Sequence, residues 1–354
     1  MKFVWLVAKV GACIVLVLAA AGAGFWFWLN QAVREPHIHG NTAEIISIEP
    51  HEGTTDIAAQ LRRQGVLAQE WPLLCWMKLV NRGQSLKAGD YQFQSPITPL
   101  QVLDKLIKGE VVSFRFTIPE GYNRFEIADI LASLPGLKEA AADDQTVLNL
   151  LSNSQLIADL APDATTLEGF LFPDTYEYTP RTTRNQLVGE MVDRFRKIYS
   201  AKMRQQAKSL GMTTKQVVTF ASLIEKEAKV DSERELISSV YHRRLKKGML
   251  LACDPTVVYA AILERRYRGT IYQSDLDRNS PYNTYKFVGL PPGPIASPGR
   301  RSLQAALAPA DTDYLYFVVD VSHNNGSHRF SANPADHDRA VAALREWEKK
   351  HAPR

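Results

Sequence analysis

FASLIEKEAKVDSERELI, residues 220–237, reads as the apolar stripe of a buried helix with two glutamates, Glu225 and Glu227, set into it. Burying a carboxylate without a partner is expensive, so this stretch both sets a helical frame and asks what the acids are for. Thr213 with Gln216 forms a capping box that opens the helix. Projected at about 100° per residue, Val217, Phe220, Ala221, Ile224 and Ala228 make the stripe, and Lys226 points away from it. Glu225 and Glu227 fall on opposite flanks, because residues two apart on a helix do not face each other. Glu225 has Lys229 at the favoured i,i+4 spacing and reads as a helix-stabilising ion pair. Glu227 is flanked by Leu223, Ile224 and Val230, with Asp231 as its only charged neighbour. Apolar surroundings and a like charge both raise a carboxyl pKa. That suits a general acid working near neutral pH, although a simple rim glutamate fits the same pattern.

Working outward, the C-terminal half is mainly helical. A long helix is expected from Thr183 to about Lys208, then the helix from Thr213. A third opens at Ser232 with a capping box to Glu235 and ends at Lys246–Gly248. A fourth starts at Asp254–Pro255, cap then N1 proline, which makes Asp254 more a cap than a catalyst. SPYNTY (280–285) and GLPPGPIASPG (289–299) form rigid loops suited to positioning binding residues. There Asn283 can donate to and accept from an N-acetyl group, and Tyr282 and Tyr285 offer ring faces for sugar. The chain closes with a strand (314–321), a turn, the short strand HRF and a final helix.

Towards the N-terminus a faint repeat links IEPHEGTTDIAAQL (48–61) and IPEGYNRFEIADIL (118–131), each a strand feeding an amphipathic helix. The first copy continues through an alternating strand (91–94) to a helix entered at Thr98–Pro99 and stopped at Gly109. This gives a small module of strand, helix, helix, strand and helix, either a spacer or a glycan-binding domain. The connector TLEGFLFPDTYEY (166–178) crowds aromatics, Glu168 and Asp174 around Pro173, as at a packed junction or a sugar-lined cleft.

The run from Val10 to Leu29 has no charge and is preceded by Lys2 and Lys9 and closed by Phe-Trp-Phe-Trp. It can span a membrane as an uncleaved anchor, with its N-terminus inside and the rest extracytoplasmic. A net charge of +4 without basic blocks argues against nucleic acid as a partner. Three cysteines without paired spacing argue against a disulfide framework or a metal site. His37, His39, His323 and His328 read as solvated loop histidines without a third ligand. No cofactor motif is evident.

FASLIEKEA, RRLKKGMLLACDPTVVYA, SPYNTYKFVGLPPGPIASPG and PADTDYLYFV, in this order and behind GFLFPDTYEY, resemble the YceG-like (MltG) family of endolytic murein transglycosylases over essentially the whole chain. The resemblance implies that the first module is LysM-like and that the second glutamate of the EKE, Glu227, is catalytic. It also implies cleavage with 1,6-anhydro ends, in an enzyme of the cell inner membrane acting on peptidoglycan in the periplasm without a cofactor, beside penicillin-binding protein synthases. The fold expected is α+β: a transmembrane helix (1–34), a LysM-like module (42–115), the second repeat copy and connector (116–180), and a mainly helical catalytic domain with a short β-hairpin (181–354). Glu227 is the candidate acid, Glu225 a secondary candidate, and Asn283, Tyr282, Tyr285, Asp254, Glu168 and Asp174 the candidate substrate contacts. Ala252 and Cys253 stand where the family usually has a polar pair, glutamine first, so one substrate hydrogen bond is missing or comes from elsewhere. A catalytically silent glycan-binding scaffold is the alternative from another class.

Overall fold

The computed structural model describes residues 2–323 and 325–351 and mixes helix and sheet. The chain divides into two compact units. One runs to Phe114 and adds Tyr178–Arg181; the other comprises Arg115–Glu177 and everything from Thr182.

The first unit opens with α1 (Lys2–Ala32), whose stretch Ala8–Ala32 has a mean hydropathy of 2.2 and is long and apolar enough to cross a membrane. There follow β1 (Ile46–Ile48), α2 (Thr54–Arg63), α3 (Trp71–Leu79), β2 (Gly89–Tyr91) and α4 (Pro99–Lys108). β1 and β2 pair antiparallel, Ile46 opposite Tyr91. The expected strand at 91–94 shares only Tyr91 with β2, because the partner strand offers just three residues. α4 begins and ends as its sequence directs: Thr98 and Gln101 complete a capping box, and Gly109 closes the helix at φ 74°. Ile46, Ile48, Ile57, Leu61, Tyr91 and Leu103 are part of the core, and Leu29 from the end of α1 and Val33 just after it are buried in the same cluster.

In the second unit β3 (Phe114–Thr117) pairs with β4 (Thr175–Tyr178), the outermost residue of each belonging to the first unit. Between them lie α5 (Arg124–Ser133) and α6 (Asp144–Leu151), and after them α7 (Arg184–Ile198), α8 (Ala201–Ser209), α9 (Thr214–Glu227), α10 (Arg234–Lys246), α11 (Asp254–Leu263), the short α12 (Gln273–Leu276) and α13 (Arg300–Leu307). The hairpin β5 (Tyr316–Val319) and β6 (His328–Ser331) precedes α14 (Pro334–His351). The repeat survives in three dimensions. Ile57, Ala58 and Leu61 of α2 and Ile127, Ala128 and Leu131 of α5 are buried at matching positions.

Three helical expectations change. The long helix from Thr183 breaks into α7 and α8, because Ser200 caps a new helix by accepting from the Met203 amide. The box from Ser232 to Glu235 does not form; Asp231–Glu233 is a 3₁₀ turn and α10 starts at Arg234. α9 is no stripe against one neighbour. Every residue from Val217 to Ile224 is buried, since α8, α10, α11 and α13 surround the helix. The buried Ser222 is satisfied: its hydroxyl donates to the Thr219 carbonyl and accepts from the Ile295 amide. Gly169, at φ 79°, brings the connector so close to this helix that a Cβ would lie 2.6 Å from Pro294 and 2.8 Å from Val218.

Candidate active site

Glu227 is the last residue of α9, where the helix leaves the core and its side chain becomes half-buried. The Tyr241 hydroxyl, one helix away on α10, donates to its Oε1 at 3.1 Å. The Cys253 thiol hydrogen-bonds to the same carboxyl. Burial pushes the Glu227 pKa up and the negative charge of Asp254 adds to it, while the bonds from Cys253 and Tyr241 and the nearby His328 pull it back. The raised direction agrees with the sequence. The like charge responsible does not: Asp231, instead of facing Glu227, pairs with Arg234 and Arg301.

The supports of this site come from separate parts of the chain. Tyr241 is fully buried and meets Phe220 of α9 and Phe317 of β5 edge-on, with ring centroids 6.2 and 5.8 Å apart. Arg244, one turn on, donates to the Leu315 carbonyl and the Leu251 carbonyl, both at 2.7 Å, so α10 holds both the start of the hairpin and the loop leading to Cys253. The DPT and YNTY motifs form one cross-link. The Cys253 amide donates to Thr284 Oγ1 at 2.9 Å, the Thr256 and Thr284 hydroxyls lie 2.9 Å apart, and the Tyr285 hydroxyl donates to Asp254 Oδ1 at 2.5 Å. Asp254 is therefore not the cap of α11. Cys253 occupies that position, leaving the exposed Asp254 carboxylate free to face the site. Ala252 sits at φ 49°, in the left-handed region, and its amide donates to the Thr284 carbonyl.

Asn283, Glu168 and His328 depart from their expected surroundings, while Tyr282 and Asp174 stay partly exposed. Asn283 is 0% exposed; its amide nitrogen donates to the Leu276 and Arg278 carbonyls at 2.8 Å and its oxygen accepts from the Tyr285 amide. It locks the loop and has no free donor for a sugar. Glu168 does not line an open cleft. At 3% exposure it accepts from the Tyr259 hydroxyl at 2.7 Å and from the Arg124 amide, and burial pushes its pKa up to about 7. Tyr282 packs against Tyr259 with ring centroids 5.1 Å apart. Asp174 is tied to Arg194 at 2.6 Å. His328 is no solvated loop histidine, since its Nδ1 lies 2.8 Å from Glu233 Oε2 and the pair is buried. A concavity of about 580 Å³ lies at the opposite end of α9, between Lys215, Thr219, His242 and Pro291, and none of the candidate residues lines it.

The other glutamate has a different role from the one expected. Glu225 pairs with Arg234 at 3.2 Å, not with Lys229, and its Oε2 accepts from the Gly299 amide at 2.8 Å. It thereby ties the end of α9 to the starts of α10 and α13. Glu120, from the second repeat copy, crowds the same point so closely that a Cβ at Gly299 would overlap its carboxylate. Burial and the neighbouring Glu225 raise the Glu120 pKa.

The family model described as YceG-like matches residues 46–343, most of the chain. The chain belongs to the YceG-like family. Among curated relatives it is 33% identical over 313 residues to the endolytic murein transglycosylase of Bacillus subtilis, covering 83% of each. It is 30% identical over 337 residues to the protein of the same name from Streptococcus pneumoniae, covering 86% of this chain but 59% of that longer one. A crystal structure of a yceG-like protein from Listeria monocytogenes superposes with a TM-score of 0.56 at 32% identity, over 84% of this chain and 98% of that one. This YceG-like chain thus shares its family's fold, and Tyr241 and Cys253 are the partners of Glu227 that sequence reasoning missed. The only signal for Cys253 was its place before DPT; for Tyr241 there was none, because its partner lies on a different helix.

Proposed function

We propose that the chain is an endolytic peptidoglycan lytic transglycosylase, with Glu227 as its acid and base. The observation that carries this is a half-buried carboxyl at a helix end, its pKa raised by burial, held by Tyr241 and Cys253 and facing Asp254. The relatives' name, endolytic murein transglycosylase, supplies the substrate class. In the reaction, protonated Glu227 gives its proton to the oxygen of the β-1,4 bond between MurNAc and GlcNAc as the bond from that oxygen to the anomeric carbon breaks. The resulting cation is stabilised by the negative charge of Asp254, which the Tyr285 hydroxyl holds in place. Ionised Glu227 then takes the proton of the MurNAc 6-hydroxyl as that oxygen closes on the anomeric carbon. A 1,6-anhydro end results, and Glu227 is again protonated.

A second reading rests on Asp254. A second carboxylate beside the acid is what a hydrolase using water needs. Digestion of peptidoglycan in heavy-oxygen water separates the two. Anhydro ends without label are expected; labelled reducing ends would replace this reading by hydrolysis.

The same proposal covers location and partners. α1 anchors the chain in the inner membrane, with Lys2 and Lys9 keeping the N-terminus cytoplasmic and the catalytic region periplasmic. Residues 42–115 serve as a LysM-like module on the glycan strand, 116–180 connect it, and 181–354 catalyse. Acting next to penicillin-binding protein synthases, the enzyme ends the elongation of nascent strands. A reporter active only in the cytoplasm, fused after Arg354, should stay dark.

A further inference from the structure

α3 is a surface helix without a polar face. Of its nine residues, Trp71–Leu79, only Lys78 is polar. Leu73, Trp76 and Met77 enter the core, yet Leu74 and Cys75 are half-buried and Leu79 and the following Val80 are each 46% exposed. A helix apolar on all sides belongs either inside a protein or in lipid, and the core covers only one side of this one. The second observation is its neighbour. Trp71 stacks on Trp28 of α1 with ring centroids 4.0 Å apart and planes at 9°, and Trp76 stacks on Trp26 at 5.8 Å. Trp26 and Trp28 still expose their outer faces.

These stacks set a depth. A hydrocarbon core of about 30 Å takes about 20 helical residues, which is the uncharged run from Val10 to Leu29 with nothing to spare. Trp26 lies about 4.5 Å inside the outer end of that run, at about 1.5 Å per residue. Sliding α1 outward until Trp26 left the bilayer would draw Lys9 inward or shorten the apolar span to about 24 Å. The end of α1 is also not a free tether. Leu29 and Val33 are buried in the core of the first unit, and the Val33 carbonyl accepts from the Leu100 amide. α3 is therefore carried at the level of the aromatic belt.

We propose that α3 is a membrane-interface element: Leu74, Cys75, Leu79 and Val80 rest among lipid headgroups and upper acyl chains, so that the first unit lies on the bilayer instead of standing off it. Lys78 and Arg82, beside a groove floored by Leu74 and Met77, are placed to meet lipid phosphates. The inference rests on α1 spanning the membrane, and the experiment separates the two. The full chain is placed in nanodiscs of phosphatidylethanolamine and phosphatidylglycerol, with Cys13 and Cys75 replaced by alanine and the buried Cys253 retained. A nitroxide is attached in turn at Leu79→Cys, Val80→Cys, Ile14→Cys in α1 and Asp104→Cys on the exposed side of α4. Collision rates with oxygen and with a water-soluble nickel chelate are then compared. The labels at 79 and 80 should favour oxygen over nickel, relative to the label at 104, by about an order of magnitude, approaching the label at 14. Labels at 79 and 80 as nickel-accessible as the one at 104, with 14 still in lipid, would overturn the inference alone. A nickel-accessible label at 14 would overturn the spanning reading and this inference with it.

Discussion

The two flanks of the last turn of α9 carry the same side chain in opposite circumstances. Glu225 meets a buried guanidinium and a backbone amide at the start of α13, so its charge is matched and it joins three helices. Glu227, two residues on, meets a phenol, a thiol and another carboxylate, none of which compensates a negative charge fully. Burial alone does not distinguish them. A matched carboxylate serves structure, whereas burial and a like charge raise the pKa of an unmatched one, the direction a proton donor needs.

The largest expected effect is at Glu227. Glu227→Gln keeps shape and removes the transferable proton, so turnover on peptidoglycan should fall about 10²–10⁴-fold with an unchanged unfolding midpoint. Turnover above about a tenth of the parent would break the comparison, since general acid–base catalysis is worth about 10² or more. Glu225→Ala should do the reverse. Arg234 keeps Asp231 and the Ser302 hydroxyl but loses its one buried carboxylate, so the denaturant midpoint should fall, by less than the roughly 3–5 kcal/mol of a buried charge left wholly unpaired, while activity per folded molecule persists.

Glu168 sharpens the contrast, because it is a buried carboxyl with a raised pKa that is sealed from any substrate. Its folded pKa of about 7 exceeds the ordinary 4.5. The folded state therefore binds the extra proton, and this stability is full below about pH 4.5 and is lost as pH rises through about 7. Glu168→Gln should flatten that part of the stability profile, on the order of 3 kcal/mol across the window, and leave the anhydro product unchanged. The smallest effect is at Tyr241→Phe. Removing its hydrogen bond takes away a contact that lowers the Glu227 pKa, so the alkaline limb of the pH–rate profile should move to higher pH, with a several-fold loss of rate. An unmoved limb would show that Tyr241 only fills space.

The local sequence was sufficient for what local rules govern. The capping box at Thr213 formed and helices open where the sequence starts them at Thr98 and Thr183, whereas the box at Ser232 gave way to a 3₁₀ turn. The matching burial of Ile57 and Ile127 follows from helical periodicity in the same way. The opposite flanks of Glu225 and Glu227 were equally legible from the turn of one helix, as was the raised direction at Glu227, although the like charge that adds to it is Asp254 and not Asp231. Long-range partners were not. Lys229 was the expected mate of Glu225 because it is near in sequence, but Arg234 takes that place because the chain turns back after Asp231 and presents a buried guanidinium. Asn283 looked free for a ligand and proved to be consumed by carbonyls of its own loop. Tyr241, Cys253 and Asp254 converge on one carboxyl from 14, 26 and 27 positions along the chain. Only the packing of α10 and α11 around α9 brings them there, because a hydrogen bond or a charge acts across a few ångströms of space whatever the length of chain between its partners.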